Sequence, residues 1–147
     1  MALIRPMTPE DLDAVVQIEQ QSQYAPWGRG LFADGFKPRY FNWVCCDNEH
    51  IAGFAVVQHL FDEATLLNFA VAVAYRRKGL GQQMLQHVLD HLPEAVHTVL
   101  LEVRASNQSA RSLYDRVGFN EYATRKGYYP CSDGLWEDAV LMQYARI

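Results

Sequence analysis

The chain has 147 residues, 50% of them apolar and 12% aromatic, which is enough for one sizeable core and excludes a disordered segment. Its formal net charge of −4 runs against the basic face of a nucleic-acid binder, so no direct nucleic-acid contact is expected. Three cysteines (Cys45, Cys46 and Cys131) with no C-x-x-C, and five histidines read as standing apart, exclude a disulfide framework and a zinc site, so no metal is expected.

Met1 to Pro6 carries no apolar core of a signal peptide, and no apolar run approaches a membrane span. The expectation is a single cytoplasmic domain over 1–147 with no membrane partner. No repeat or linker interrupts it.

In chain order, residues 2–5 read as a short strand. Thr8-Pro9-Glu10-Asp11 then opens a helix: Thr8 suits the cap, Pro9 the first helical position, and the acids the positive helix end. Leu12, Val15, Val16 and Glu19 form a partial helical stripe ending near Gln21. Tyr24 to Gly28 is a loop, with a short helix to Gly35. Residues 39–46 and 51–60 are two strands joined at Asp47-Asn48.

A third strand runs from Ala64 to Val73, followed by a basic turn, Arg76 to Gly81. The next helix carries Leu80, Met84, Leu85, Val88 and Leu89 on one face and stops before Pro93. His97 to Val103 is a strand of buried type. Asn107 starts a helix with Ala110, Leu113, Tyr114 and Val117 on one stripe, closed by Gly118. Strands at 120–128 and 136–145 complete the order. That order, β-α-α-β-β-β-α-β-α-β-β, places the chain in the α/β (α+β) class, with one mixed sheet and helices on both faces.

Three places carry chemistry. The first is Arg76-Arg77-Lys78-Gly79-Leu80-Gly81, between a strand and a helix. Glycines let successive N–H groups converge, and the helix end adds positive potential, which suits a pyrophosphate. Cations at a helix N-terminus oppose its dipole, a conflict that a bound polyphosphate removes. The spacing is neither that of a dinucleotide fingerprint nor that of a Walker loop.

The second is Glu102, alone in the apolar run Val99 to Val103. Such a carboxylate either has an ion partner or stands ready to take a proton as a general base. The third is Asn107 with Tyr114. Asn107 is first a helix cap, and Tyr114, on the apolar stripe, is by default a core residue. A phenol, with an ordinary pKa of about 10, can also protonate a thiolate whose pKa is about 8.5.

Taken together, a strand, R-x-x-G-x-G, a helix, an apolar strand with Glu, then Asn and a helix ending Leu113-Tyr114-Asp115-Arg116-Val117-Gly118-Phe119 resemble the GNAT acetyltransferase superfamily over the whole chain. Asp62 to Leu66, Asn68 to Val71, Leu101 to Asn107, Tyr128-Tyr129-Pro130 and Glu137-Asp138-Ala139 resemble its RimI-type ribosomal-protein alanine N-acetyltransferases.

The resemblance implies a GNAT-like, mostly antiparallel sheet and acetyl-CoA as acetyl donor. Its implied cofactor contacts are Phe69, Ala70, Val71, Arg77, Lys78, Gly79, Leu80, Gly81, Gln82 and Asn107. Glu102 is then the base, Tyr114 the acid, and a protein or peptide N-terminus, that of a ribosomal protein, the acceptor. Acids Asp133, Glu137 and Asp138 are expected to hold basic side chains of that peptide.

Two departures stand out: Gln82, where a further cation is expected, and the apolar Gly134-Leu135-Trp136 near the peptide site. Two alternatives stay open: transfer to a lysine or small-molecule amine, and a non-catalytic coenzyme A sensor.

Overall fold

The computed structural model describes residues 2–146. Its elements are β1 (Leu3–Pro6), α1 (Leu12–Ser22), α2 (Arg29–Ala33), β2 (Trp43–Asp47), β3 (His50–Leu60), β4 (Glu63–Val71), α3 (Leu80–Asp90), β5 (Thr98–Arg104), α4 (Gln108–Val117), β6 (Asn120–Pro130) and β7 (Trp136–Ala145). This is the order expected from the sequence. The seven strands form one sheet ordered β1-β2-β3-β4-β5-β7-β6, and only the β4–β5 pair is parallel.

Local chemistry explains most element ends. Asn107 caps α4 through its Oδ1, which accepts the Ala110 N–H at 3.1 Å. Before α1, a 3₁₀ turn covers Pro9–Asp11, and the Asp11 carboxylate accepts the Thr8 N–H at 2.8 Å and both Arg5 guanidinium nitrogens at 2.8 Å. The Arg5 bonds, then Thr8, hold the Asp11 carboxyl below its ordinary value.

Some strand ends differ from expectation, and β6 runs on to Pro130 rather than 128. β2 starts at Trp43 rather than residue 39, because Arg39 takes φ 78 and turns the chain, leaving Tyr40 a single bridge to Gln58. β4 stops at Val71, and Val73–Tyr75 winds into a 3₁₀ turn.

The sheet separates two cores. On one face Met84, Leu85, Val88 and Leu89 of α3 pack with Val99, Leu101, Val103, Tyr114 and Phe119. On the other, Leu12, Val15, Ile18 and Phe32 of α1 and α2 pack on Val44, Phe54, Val56 and Ala70. Helices thus cover one face broadly, while on the second face α1 and α2 reach only the β2–β4 half.

His87 and His91 of α3 stack at 3.8 Å, with Trp43 edge-on to His87 at 4.6 Å. They form an i, i+4 pair, which corrects the expectation that the histidines stand apart. Among the described residues no third His, Cys, Asp or Glu joins them in a metal-sized group.

Burial, then His91, lowers the His87 pKa from 6.5, against a smaller opposing effect of Asp90. A histidine with a depressed folded value binds more protons unfolded than folded, so stability is lost as pH falls below 6.5 toward the folded value. The melting temperature is expected to drop between about pH 7.5 and about pH 5.5, and less steeply in His87→Phe. Equal slopes for the two proteins would remove His87 from the acid sensitivity.

Candidate active site

The centre of the site is a fault in the sheet. β4 and β5 pair only from Glu63↔Thr98 to Leu66↔Leu101. Opposite Leu67, the β3–β4 register slips at Val56/Val57. A bulge of this kind bends a strand and re-aims the residues beyond it. From there β4 runs to Val71 and β5 to Arg104 unpaired with each other, and a notch opens between them.

Strand alternation decides what faces that notch. Ala72 donates its N–H to Ala52 at 2.7 Å, so the N–H groups of Ala70 and Asn68 also turn to β3, and those of Val71 and Phe69 turn to the notch. Phe69 N–H is taken by Asn68 Oδ1 at 2.8 Å, and Val71 C=O by Arg76 Nε at 2.9 Å. Among the described residues nothing takes the Val71 N–H, which therefore stands at the notch as a donor without a partner. Ala70 turns its side chain into the α1/α2 core instead.

On the α3/α4 side lies the basic turn. Arg77 has φ 63 and Gly79 φ 80, so left-handed residues alternate ahead of the α3 N-terminus, the arrangement that gathers N–H groups around an anion. Among the described residues, no backbone N–H from Arg77 to Gln82 has a backbone partner outside α3 itself.

A Cβ on Gly79 would meet nothing within 4 Å, so the cradle is open there. A Cβ on Gly81 would stand 3.2 Å from Leu113 and 3.7 Å from Val71, which explains the glycine by close packing of α3 on β4 and α4. Arg77, Lys78 and Gln82 are exposed, whereas Arg76 is engaged with Val71. These residues fit the pyrophosphate of coenzyme A. Leu80 starts α3 half-buried in the core beneath, and Asn107 caps α4 through its Oδ1, with no partner for its amide N–H₂ among the described residues.

Tyr114 is 6% exposed, beside Phe69 at 6.2 Å and Phe119 at 5.8 Å. Burial pushes its phenol well above the ordinary value, and Tyr129 adds to this. Among the described residues its hydroxyl makes no hydrogen bond, so the ring is a core residue but the hydroxyl does no structural task.

Glu102 takes the other face. Val99, Leu101 and Val103 fill the α3/α4 core, which turns Glu102 to the half of the sheet that α1 and α2 leave open. Its side chain is 31% exposed and pairs with Arg125 of β6 at 3.3 Å. The apolar sequence neighbours thus cover the opposite face, and the partner comes from β6 rather than from Arg104, which binds Glu137 at 3.0 Å.

Arg104 and Arg125 also lie over the rings of Tyr129 and Tyr128, each at 4.7 Å. Burial, then the charge of Glu102, pushes Tyr129 up to about 12.

The acids expected to hold a basic peptide are committed locally. Glu137 binds Arg104 and Ser106, Asp138 accepts the Gly127 N–H, and Asp133 accepts the Leu135 N–H. The exposed large apolar residues at that end are Leu135 and Trp136.

Arg125 as partner of Glu102 is not legible in sequence, since no local spacing joins them. A further group, Glu19 with Gln23 and Asn68, left one trace: a carboxylate on the apolar stripe of α1.

Residues 12–119 match the acetyltransferase (GNAT) family. The chain is 44% identical to the [ribosomal protein bS18]-alanine N-acetyltransferase of Escherichia coli K12, over 97% of this chain and 96% of that protein. It is 41% identical to that of Haemophilus influenzae, over 97% of each. The crystal structure of the ribosomal-protein-S18-alanine N-acetyltransferase from E. coli superposes with a TM-score of 0.92 at 43% identity, covering 99% of this chain and 94% of that one. The chain belongs to the acetyltransferase (GNAT) family and groups, within it, with the ribosomal-protein alanine N-acetyltransferases.

Proposed function

We propose that this chain acetylates the N-terminal α-amine of a ribosomal protein, an alanine at its first position, with acetyl-CoA as donor. What carries the reading is the notch: the Val71 N–H lies between an anion cradle on one face and a carboxylate on the other. Acetyl-CoA supplies a thioester whose carbonyl the amine attacks.

The Arg77–Gln82 turn and Asn107 hold the donor from the α3/α4 side, and Phe69 to Val71 line its path into the notch. Val71 N–H holds the carbonyl oxygen and the negative charge that grows on it. Glu102 takes the amine proton, through a water, on the open face. Tyr114 keeps its proton at all ordinary pH and gives it to the departing sulfur. The protein works as one domain over 1–147 in the cytoplasm; among the described residues no helix is long and apolar enough to cross a membrane.

Near neutral pH an α-amine, with pKa of about 7.7–8.0, is partly neutral, whereas a lysine at about 10.4 is almost wholly charged. One carboxylate working through water suits the first better. A peptide with a free N-terminal alanine is expected to be acetylated, and the same peptide N-terminally blocked and carrying a lysine is not. Equal product masses from the two would overturn the acceptor assignment, and binding of acetyl-CoA without turnover of any amine would favour a sensor.

Charge reversal of Arg77 and Lys78 to Glu is expected to weaken acetyl-CoA binding by roughly tenfold, more at low salt. Calorimetric titration checks this, and unchanged affinity in a folded variant would remove the cradle from the donor site.

A further inference from the structure

Glu19 lies on α1, 0% exposed, and among the described residues it makes no ion pair. Its carboxylate is satisfied by N–H donors alone. Gln23 Nε2 reaches both oxygens at 2.9 and 3.0 Å, while the Trp27 backbone N–H at 3.0 Å and Asn68 Nδ2 at 2.9 Å converge on one of them. Asn68 is thereby oriented: its Oδ1 accepts Gln23 Nε2 at 3.1 Å and the Phe69 N–H at 2.8 Å. One buried charge thus ties the segment between α1 and α2 to β4.

The position of this tie gives it meaning. Asn68 is on the same face as Ala70 and Phe54, beneath α1, which is also the face to which Glu102 turns. Gln23 and Trp27 are thereby tied to β4 on that same face, at its α1 end, and β6 lies at the far edge of the sheet. Among the described residues, Tyr24, Ala25 and Pro26 make no backbone hydrogen bond of their own, so the segment is held at its ends, by the Glu19 bonds and by Trp27 packing on Phe32 at 5.2 Å.

The same contacts engage the Phe69 N–H, so that of β4's two notch-facing N–H groups it is Val71's that has no partner among the described residues. A leucine would serve the α1 stripe at lower desolvation cost, and apolar replacement of buried charge often stabilises a fold. What a leucine lacks is the ability to hold Trp27 and Asn68 at once.

We infer that Glu19 is a positioning residue for the acceptor: acting through Trp27, Gln23 and Asn68, it holds the α1–α2 segment in place as one wall of the amine-binding side. This rests on the reading that the Glu102 face receives the acceptor. The test uses Glu19→Ala, Glu19→Gln and Gln23→Ala, with hydrogen exchange over residues 23–28, steady-state kinetics with an alanine-initiated peptide, and calorimetry with acetyl-CoA.

In Glu19→Ala the segment is expected to exchange faster and KM for the peptide to rise about tenfold or more, with kcat at saturation and acetyl-CoA affinity changed only a few-fold. Glu19→Gln keeps one oxygen for Trp27 and Asn68 and is expected to recover most of the KM. If Glu19→Ala does not fold, Gln23→Ala, which removes one donor from a half-buried site, is expected to show the same pair of changes on a smaller scale. Faster exchange with unchanged KM, or equal KM values for the Gln and Ala variants, overturns the inference and leaves the acetyltransferase reading standing. A wild-type protein inert toward the peptide overturns that reading, and this inference with it.

Discussion

Glu102→Gln is expected to bind acetyl-CoA as wild type does and to lose about 10²-fold or more of kcat/KM near neutral pH, the range for losing a general base. The side chain keeps its size on an exposed sheet face, and no packing core surrounds it, so the fold is expected to be retained. The variant gives up only the ability to take a proton and its ion pair with Arg125, a half-exposed contact of little weight for stability.

Part of the lost rate is expected to return as pH rises through about 8, where solvent deprotonates the α-amine itself. The competing account makes Glu102 an anchor for β6 through Arg125. An anchor's loss lowers the melting temperature and leaves the shape of the pH profile intact. Measuring kcat/KM from about pH 6 to about pH 9.5 for both proteins separates the two, because parallel profiles at similar rates would rule out Glu102 as the base.

Tyr114→Phe is the second large effect, a fall in turnover of about 10²-fold with unchanged donor affinity. The ring packs on Phe69 and Phe119, and phenylalanine repeats that packing. The hydroxyl has no protein partner among the described residues, so its removal leaves no buried group unsatisfied. Stability and activity are thus separable at this position. Burial and the neighbouring Tyr129 hold the phenol protonated across the working range, as a proton donor to sulfur requires. A Phe variant that turns over normally would show the residue to be a core tyrosine alone.

Much of this was legible in the residues themselves, where the signal is local. Asn107 ahead of a four-membered apolar stripe predicts a capped helix, and the structure has α4 there with the cap bond made. R-x-x-G-x-G between a strand and a helix predicts an anion cradle, and Arg77 and Gly79 have the left-handed conformations it needs. Such features depend on residues within one or two turns of each other, and periodicity and turn chemistry report them directly.

Long-range packing settled the rest. Val99 to Val103 reads as apolar around Glu102. The sheet sends those neighbours into one core and Glu102 to the other face, and it brings Arg125 to the carboxylate from β6. The acids Glu137 and Asp138 read as a peptide's counter-charges until the β5–β7 pairing brings Glu137 to Arg104 and Ser106 and the β6–β7 pairing brings Asp138 to Gly127. Glu19 reads as one misplaced charge on a stripe until Asn68 arrives from β4.

The notch itself exists because the β4 bulge at Leu67 and the end of parallel pairing at Leu66 coincide. Strand order, register and the face a side chain takes are set by the total packing of strands distant in sequence. A slip of one residue reverses every face, so no local pattern contains them.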